Sequence, residues 1–303
     1  MLDSRCHKNI IIAVALLCFA LLPFTVKAAT IYFSSSSENI FQGDVFIVEI
    51  RISNSDESIN AAESTILFDK EKLEVKELSS GGSLFSVWLK EPAFSNQEGK
   101  VSFIGGTPNG FQGEEALILK IIFLAKNKGE AKLDFSDNTV LFLHDGSGTQ
   151  VNPWLRPLTF NISESSLKMT PKDEWQLIIK EDKIPPEPFE ILIGQDPSLF
   201  YNQHFISFFA VDAESGIGYY EVKEGDADFV RAGSPYLLKD QSLQSLITVK
   251  AVDKAGNERM EELVTVIPSA PFYENILFWV VVIIVIFLLI FCIVWKTLRR
   301  KLK

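Results

Sequence analysis

The 303 residues carry 29 basic and 39 acidic side chains, a formal net charge of −10, with 47% hydrophobic residues and 24 Phe. Without the three basic and one acidic residue of positions 1–28 and the five basic residues of 296–303, the stretch between holds 21 basic against 38 acidic, a net of −17. That balance argues against nucleic acid, whose phosphates need basic surfaces. The three cysteines, Cys6, Cys18 and Cys292, lie in the apolar ends, so the part between is expected to hold together without disulfides, which favours a prokaryotic source and domains stabilised by their cores.

Residues 1–28 read as a secretory signal. Arg5 and Lys8 open it, Asn9 to Phe24 is an apolar run, and Val26-Lys27-Ala28 fits a cleavage site. The mature chain is expected to begin near Ala29; the alternative is an uncleaved N-terminal anchor.

Residues 29–160 alternate in short runs: DVFIVEIRIS, STILFD, LEVKEL, KVSFIGG, ALILKIIFLAK, AKLDFSD and TVLFLHDG. Turn formers separate them, among them Gly81-Gly82, Pro108-Asn109-Gly110, Asn127-Lys128-Gly129 and Asp145-Gly146. Repeated short strands with this punctuation predict an antiparallel sandwich, and phenylalanines at inward positions can fill its core. Within SINAAESTILFDKEKLEV (Ser58 to Val75), Ala62, Ser64, Ile66 and Phe68 share one face, and Ala61, Glu63, Thr65 and Leu67 share the other.

The motifs of this region resemble those of the cohesin family. QGDVFIVEIRISN (Gln42 to Asn54) is similar to an early "GDxFxVxVxxxN" strand of that family. ILFDKEKLEV (Ile66 to Val75) is similar to its "xxYDPxxLEV" segment, with Phe68 for Tyr and Lys70 for Pro. NQEGKVSFIGG and GFQGEEALILKIIFLAKNKGEAKLDF are similar to its later half. The resemblance implies a nine-stranded jelly-roll sandwich, related to carbohydrate-binding modules, that binds dockerin modules and so holds polysaccharide-degrading enzymes on a scaffold or cell surface. It also implies a partner-facing Asn and Asp where this chain has Ala61 and Glu63. The expected partner-binding residues are therefore Ala61, Glu63, Thr65 and Leu67, with the charge kept at Glu63 but the Asn amide lost.

Residues 161–181 are polar and weakly periodic, and are expected to be a linker; Asn161-Ile162-Ser163 is a formal glycosylation sequon. Residues 182–268 resemble a bacterial immunoglobulin-like or fibronectin-type-III-like module, most specifically in VKAVDKAGN. Asp212 and Asp253 precede equivalent turns there. Calcium ligation is conceivable, but hairpin-turn chemistry is the favoured reading, since no dense carboxylate cluster accompanies either. No metal site and no cofactor are expected.

Residues 276–295, ILFWVVVIIVIFLLIFCIVW, carry no charge and are expected to form one transmembrane helix. Residues 296–303 then form a basic cytoplasmic tail, placing the N-terminal part outside a cell membrane. VIPSAPFYEN (Val266 to Asn275) lacks a wall-sorting motif of the LPxTG kind, so the span itself is the expected anchor.

The fold expectation is thus all-β: a cohesin-like jelly-roll sandwich, a smaller immunoglobulin-like sandwich and one C-terminal membrane helix. The expected function is a membrane-anchored surface scaffold for dockerin-like partners. The alternative is a carbohydrate-binding surface protein or adhesin, with Trp88 and Trp154 as sugar-stacking candidates unless they cap the core. An enzyme is not expected: no nucleophile elbow, phosphate loop or paired metal ligands occur, and His144 and His204 read as strand-end residues. A spacer role for the second module alone is the remaining reading.

Overall fold

The computed structural model describes residues 29–37, 39–164, 170–264 and 276–301. The expected export signal, 1–28, and the stretch 265–275 lie outside the described residues. The chain divides into two bodies. The first holds Met1–Glu190, Phe208–Tyr220 and Lys250–Met260; the second holds Ile191–Ser207, Glu221–Val249 and Glu261–Lys303.

The first body is built from β1 (Thr30–Ser35), β2 (Ile40–Phe41), β3 (Val45–Phe68), β4 (Leu73–Ser79), β5 (Val87–Ser95), β6 (Lys100–Ala125), β7 (Gly129–Phe135), β8 (Val140–Leu143), β9 (Gln150–Val151), β10 (Trp154–Arg156) and β11 (Leu158–Ser163). Two strands are far longer than the usual five or six residues: β3 has 24 and β6 has 26. Each serves two stretches of sheet. The first half of β3, Val45 to Ile52, pairs with Ala116 to Leu124 of β6 and with β1. Its second half pairs with the start of β6, with β8, and at Ile66 to Phe68 with β7. Register shifts between Ile50 and Ala61 mark the change, as expected where bulges bend and twist a strand. β4 and β5 lie along opposite ends of β6. β10 pairs parallel with β1, and β11 pairs with β7 and β2.

The core follows from the alternation in these strands. Ile31, Phe46, Ile50, Ile66, Phe103 and Phe123 are each at most 1% exposed and belong to one cluster. Phenylalanine pairs knit it: Phe33 stacks on Phe135 at 4.2 Å, and Phe68 meets Phe123 edge-on at 5.4 Å. Such pairs add about 0.5–1.5 kcal/mol each beyond area burial. The expected all-β class holds for this body.

Two of the sequence motifs prove to be turns. Gly43 has φ +95°, where a side chain would be strained. The neighbouring Asp44 accepts from the Phe41 N–H at 2.9 Å and the Lys172 N–H at 2.8 Å. Asp69 Oδ1 accepts from the Glu71 N–H at 3.0 Å, and its carbonyl accepts from the N–H groups of Lys72 and Leu73. This turn closes β3 and releases the chain into β4.

A helix lies inside the segment expected to be a linker. α1 (Glu174–Glu181) is capped by Asp173, whose Oδ1 accepts from the Gln176 N–H at 2.9 Å. Trp175 is 3% exposed and packs with Ile47 and Ile122, a cross-strand pair of β3 and β6. Its indole Nε1 donates to Glu77 Oε2 at 2.8 Å. The helix therefore covers apolar side chains on the outer face of the β3–β6 ribbon.

Seven further strands follow: β12 (Ile191–Asp196), β13 (Leu199–Phe208), β14 (Ile217–Glu224), β15 (Val230–Ala232), β16 (Tyr236–Leu237), β17 (Ile247–Asp253) and β18 (Glu258–Leu263). They form a three-stranded sheet, β12-β13-β16, and a four-stranded sheet, β15-β14-β17-β18. In the second body the Glu224 carboxylate accepts from the Tyr236 hydroxyl and from the N–H groups of Lys239 and Asp240. Burial, then the hydrogen bond to Glu224 and its charge, pushes the Tyr236 phenol up to about 12.

α2 (Ile276–Lys301) is a helix of 26 residues. Its side chains are described at 278–288, 290 and 295. Among the described residues no helix is long and apolar enough to cross a membrane.

Candidate partner-binding face

The second half of β3 alternates as its sequence predicts. Ala62, Ser64, Ile66 and Phe68 are buried, Ala61, Glu63 and Thr65 are half-buried, and Leu67 is 39% exposed. Residues opposite each other in an antiparallel ladder share a face, with Cβ atoms about 4.5–5.5 Å apart. Glu63 stands between Ile104 of β6 and Val140 of β8. Ala61 stands between Gly106 and Phe142, Thr65 faces Ser102, and Leu67 lies between Lys100 and Asp134. One strand further, Val87, Lys90 and Ala93 of β5 oppose Gly106, Ile104 and Ser102.

The outer face of β8-β3-β6-β5 thus gathers the four expected residues with neighbours that sequence reading did not name. Ile104 and Val140 flank Glu63 in the ladder, Phe142 and Val87 lie near Ala61 on the same face, and Lys90 lies beyond Ile104. Register alone brings them together, and register depends on bulges that no single run of sequence announces. A Cβ on Gly106 would lie 2.4 Å from the Asn60 carbonyl oxygen and 3.0 Å from Ala61 Cβ. Ala61 and Gly106 therefore form a shallow spot with no side-chain hydrogen-bonding group. The face offers apolar contact area beside the Glu63 carboxylate, which suits a protein partner presenting apolar side chains and a donor.

The two tryptophans are placed differently. Trp88 is half-buried and meets Phe85 and Phe103 edge-on at 5.7 and 5.9 Å. Its ring lies so close over β6 that a Cβ on Gly105 would fall 2.4 Å from Trp88 Cε3. Trp154 is 69% exposed, on β10.

His144 ends its strand, with its N–H donating to the Ser58 carbonyl at 2.8 Å. His204 sits in β13, its N–H donating to Gln241 Oε1 at 2.7 Å.

Asp212 and Asp253 do build turns. Asp212 Oδ1 accepts from the N–H groups of Gly216 at 2.6 Å and Glu214 at 3.2 Å. Asp253 takes the Asn257 N–H and the Asn257 Nδ2, both at 2.8 Å. The fold also brings Asp182 beside them, giving the carboxylate cluster that the sequence did not reveal.

Residues 20–153 match the cohesin domain family. No curated protein matches the chain. Among solved structures, the chain is similar to a non-cellulosomal cohesin from the hyperthermophilic archaeon Archaeoglobus fulgidus, at 19% identity and a TM-score of 0.38, covering 46% of this chain and 94% of that one. It is similar to the seventh ScaB type I cohesin from Pseudobacteroides cellulosolvens, at 17% identity and a TM-score of 0.40, covering 47% and 97%. It is also similar to a chain of the Coh-OlpC-Doc435 cohesin–dockerin complex from Clostridium thermocellum, at 11% identity and a TM-score of 0.39, covering 46% and 95%. Residues 20–153, a little under half of the chain, thus resemble the cohesin domain, a family of non-catalytic binding and scaffold modules.

Proposed function

We propose that this protein is a membrane-anchored surface scaffold whose cohesin domain captures a dockerin-like module. The family match over residues 20–153 carries the reading. The outer face of β8-β3-β6-β5 supports it as the docking surface, because Glu63 is paired there with the apolar residues Ile104 and Val140 and no carboxylate stands directly opposite it on β6 or β8. The anchor is Ile276 to Trp295, twenty uncharged residues spanning about 30 Å as a helix. The basic tail beyond it stays in the cytoplasm, and residues 1–28 direct export. The three- and four-stranded sheets of β12 to β18 support an immunoglobulin-like spacer between the cohesin domain and the membrane.

The test is titration of the detergent-solubilised full chain with purified dockerin modules encoded by the same genome. Saturable binding, weakened at least about tenfold by Glu63→Lys with unfolding temperature unchanged, is the expected result. Binding untouched by Glu63→Lys places the interface elsewhere, and binding to no dockerin overturns the reading. The second reading, a carbohydrate-binding surface protein linked to polysaccharide use, is favoured by the exposed indole of Trp154. Retention on polysaccharide that Trp154→Ala abolishes would establish it.

A further inference from the structure

Asp182 caps the C-terminus of α1, Asp212 follows β13, and Asp253 is the last residue of β17. These separate segments place three carboxylates in the first body at 0%, 2% and 2% exposure. One oxygen from each lies within 4.8 Å of the others. Oxygens bound to calcium sit about 2.4 Å from the ion, so two on opposite sides are about 4.8 Å apart. The three oxygens are therefore close enough to share one ion.

Turn formation explains part of the cluster. Asp212 Oδ1 and both oxygens of Asp253 take backbone or Asn257 donors, and Asp182 takes the N–H groups of Ile184 at 3.0 Å and Ser215 at 3.3 Å. It leaves two atoms unexplained. Asp212 Oδ2 is buried with no hydrogen-bond partner, and so is Ser215 Oγ, in a residue whose own N–H binds the Asp182 carboxylate. A carboxylate oxygen removed from water with nothing donating to it is costly, and two neighbouring carboxylates make it costlier. Lys120 contributes favourable charge, but its Nζ donates to the Glu214 carbonyl at 2.9 Å. Burial, and behind it the charges of Asp182 and Asp253, push the Asp212 carboxyl up.

We infer that Asp182, Asp212 and Asp253 bind a divalent cation of the calcium class, with Ser215 Oγ beside it. The donors are all oxygen, without histidine or cysteine, which selects a hard cation over zinc or copper. Calcium tolerates the irregular, partly protein-supplied shell that three segments of unequal geometry provide, whereas magnesium demands a near-ideal octahedron. The ion ties the end of α1 to the turns after β13 and β17.

The experiment uses the chelator-treated full chain in detergent, titrated calorimetrically with calcium chloride, and thermal unfolding in calcium or in chelator. A saturable site and an unfolding temperature that climbs with the logarithm of calcium concentration are expected. Magnesium at equal concentration should give a clearly smaller rise. Asp212→Asn, which keeps the turn-forming oxygen, should weaken calcium binding by roughly tenfold or more while unfolding in chelator at the wild-type temperature or above. Identical wild-type unfolding in calcium and chelator, with no heat of binding, overturns the inference and leaves a protonated Asp212 as the resolution of the cluster. An equal response to magnesium overturns the calcium assignment. If Asp212→Asn fails to fold, the wild-type titrations decide alone.

Discussion

Trp175→Ala tests whether α1 is an integral part of the first body. The indole is 3% exposed, packs on Ile47 and Ile122, and lies 5.3 Å from Lys254 Nζ across its ring face. Truncating a buried tryptophan costs about 3–5 kcal/mol, of which the lost Nε1–Glu77 hydrogen bond contributes about 1. Glu77 keeps its ion pair with Lys254 at 2.6 Å, so no buried charge is orphaned and the upper end of the range is not needed. With about 3–4 kcal/mol lost and about 2–4 °C per kcal/mol for a body of this size, the unfolding temperature should fall by about 6–16 °C. Trp175→Phe keeps most of the packing and loses only the donor, so about 1–2 kcal/mol is expected. Urea unfolding of the full chain, followed by tryptophan fluorescence and circular dichroism, gives both values. A Trp175→Ala protein within about 0.5 kcal/mol of wild type would show that the helix contributes no packing and refute the reasoning.

Burial works to raise the Glu174 carboxyl, but hydrogen bonds from Ser37, Lys172 and the Ile47 N–H outweigh it and hold it below the usual carboxylate range. A depressed folded value means stabilisation present above about pH 4.3 and lost as pH falls through that lower value. Glu174→Gln should therefore cost about 1.5–3 kcal/mol at about pH 7, with the gap to wild type shrinking as acid protonates Glu174, measured by urea unfolding across that range. Gly105→Ala drives a Cβ to 2.4 Å from Trp88 Cε3 and should cost about 1–3 kcal/mol, with an altered near-ultraviolet aromatic signal. Trp88→Ala should cost about 2–4 kcal/mol by the same assay, and Trp154→Ala less than about 0.5, because only the former meets Phe85 and Phe103.

The period-two alternation around Glu63 was legible because one face of that strand packs on the core while the other does not. The length of β3 was not: its middle, Ser53 to Ser58, is polar and reads as a loop, yet bulged pairing carries the ladder through Asn54 and Ile59. α1 escaped notice because eight residues give barely two turns of periodicity, and its apolar side chains find their partners on β3 and β6, more than forty positions away. Asp182 escaped for a related reason. It lies 30 residues from Asp212 and 71 from Asp253, and only the backbone paths of α1, β13 and β17 make them neighbours. Of the candidate face, the alternation along β3 was legible and its neighbours on β5, β6 and β8 were not, since register is a property of pairs of strands.

The pairing of β3 with β6 also sets a timetable. Val45 pairs with Leu124, 79 residues later in the chain. At about 5–20 residues per second of synthesis, β3 waits about 4–16 s for that partner. Throughout the interval its edge is open to pairing with another nascent copy. Glu49, Arg51, Glu57 and Glu63 punctuate the strand with charge, and charges on an unpaired strand discourage intermolecular pairing. A charge such as Glu63 therefore bears on the assembly of the sheet as well as on its finished face, because it disfavours pairing between unfinished copies.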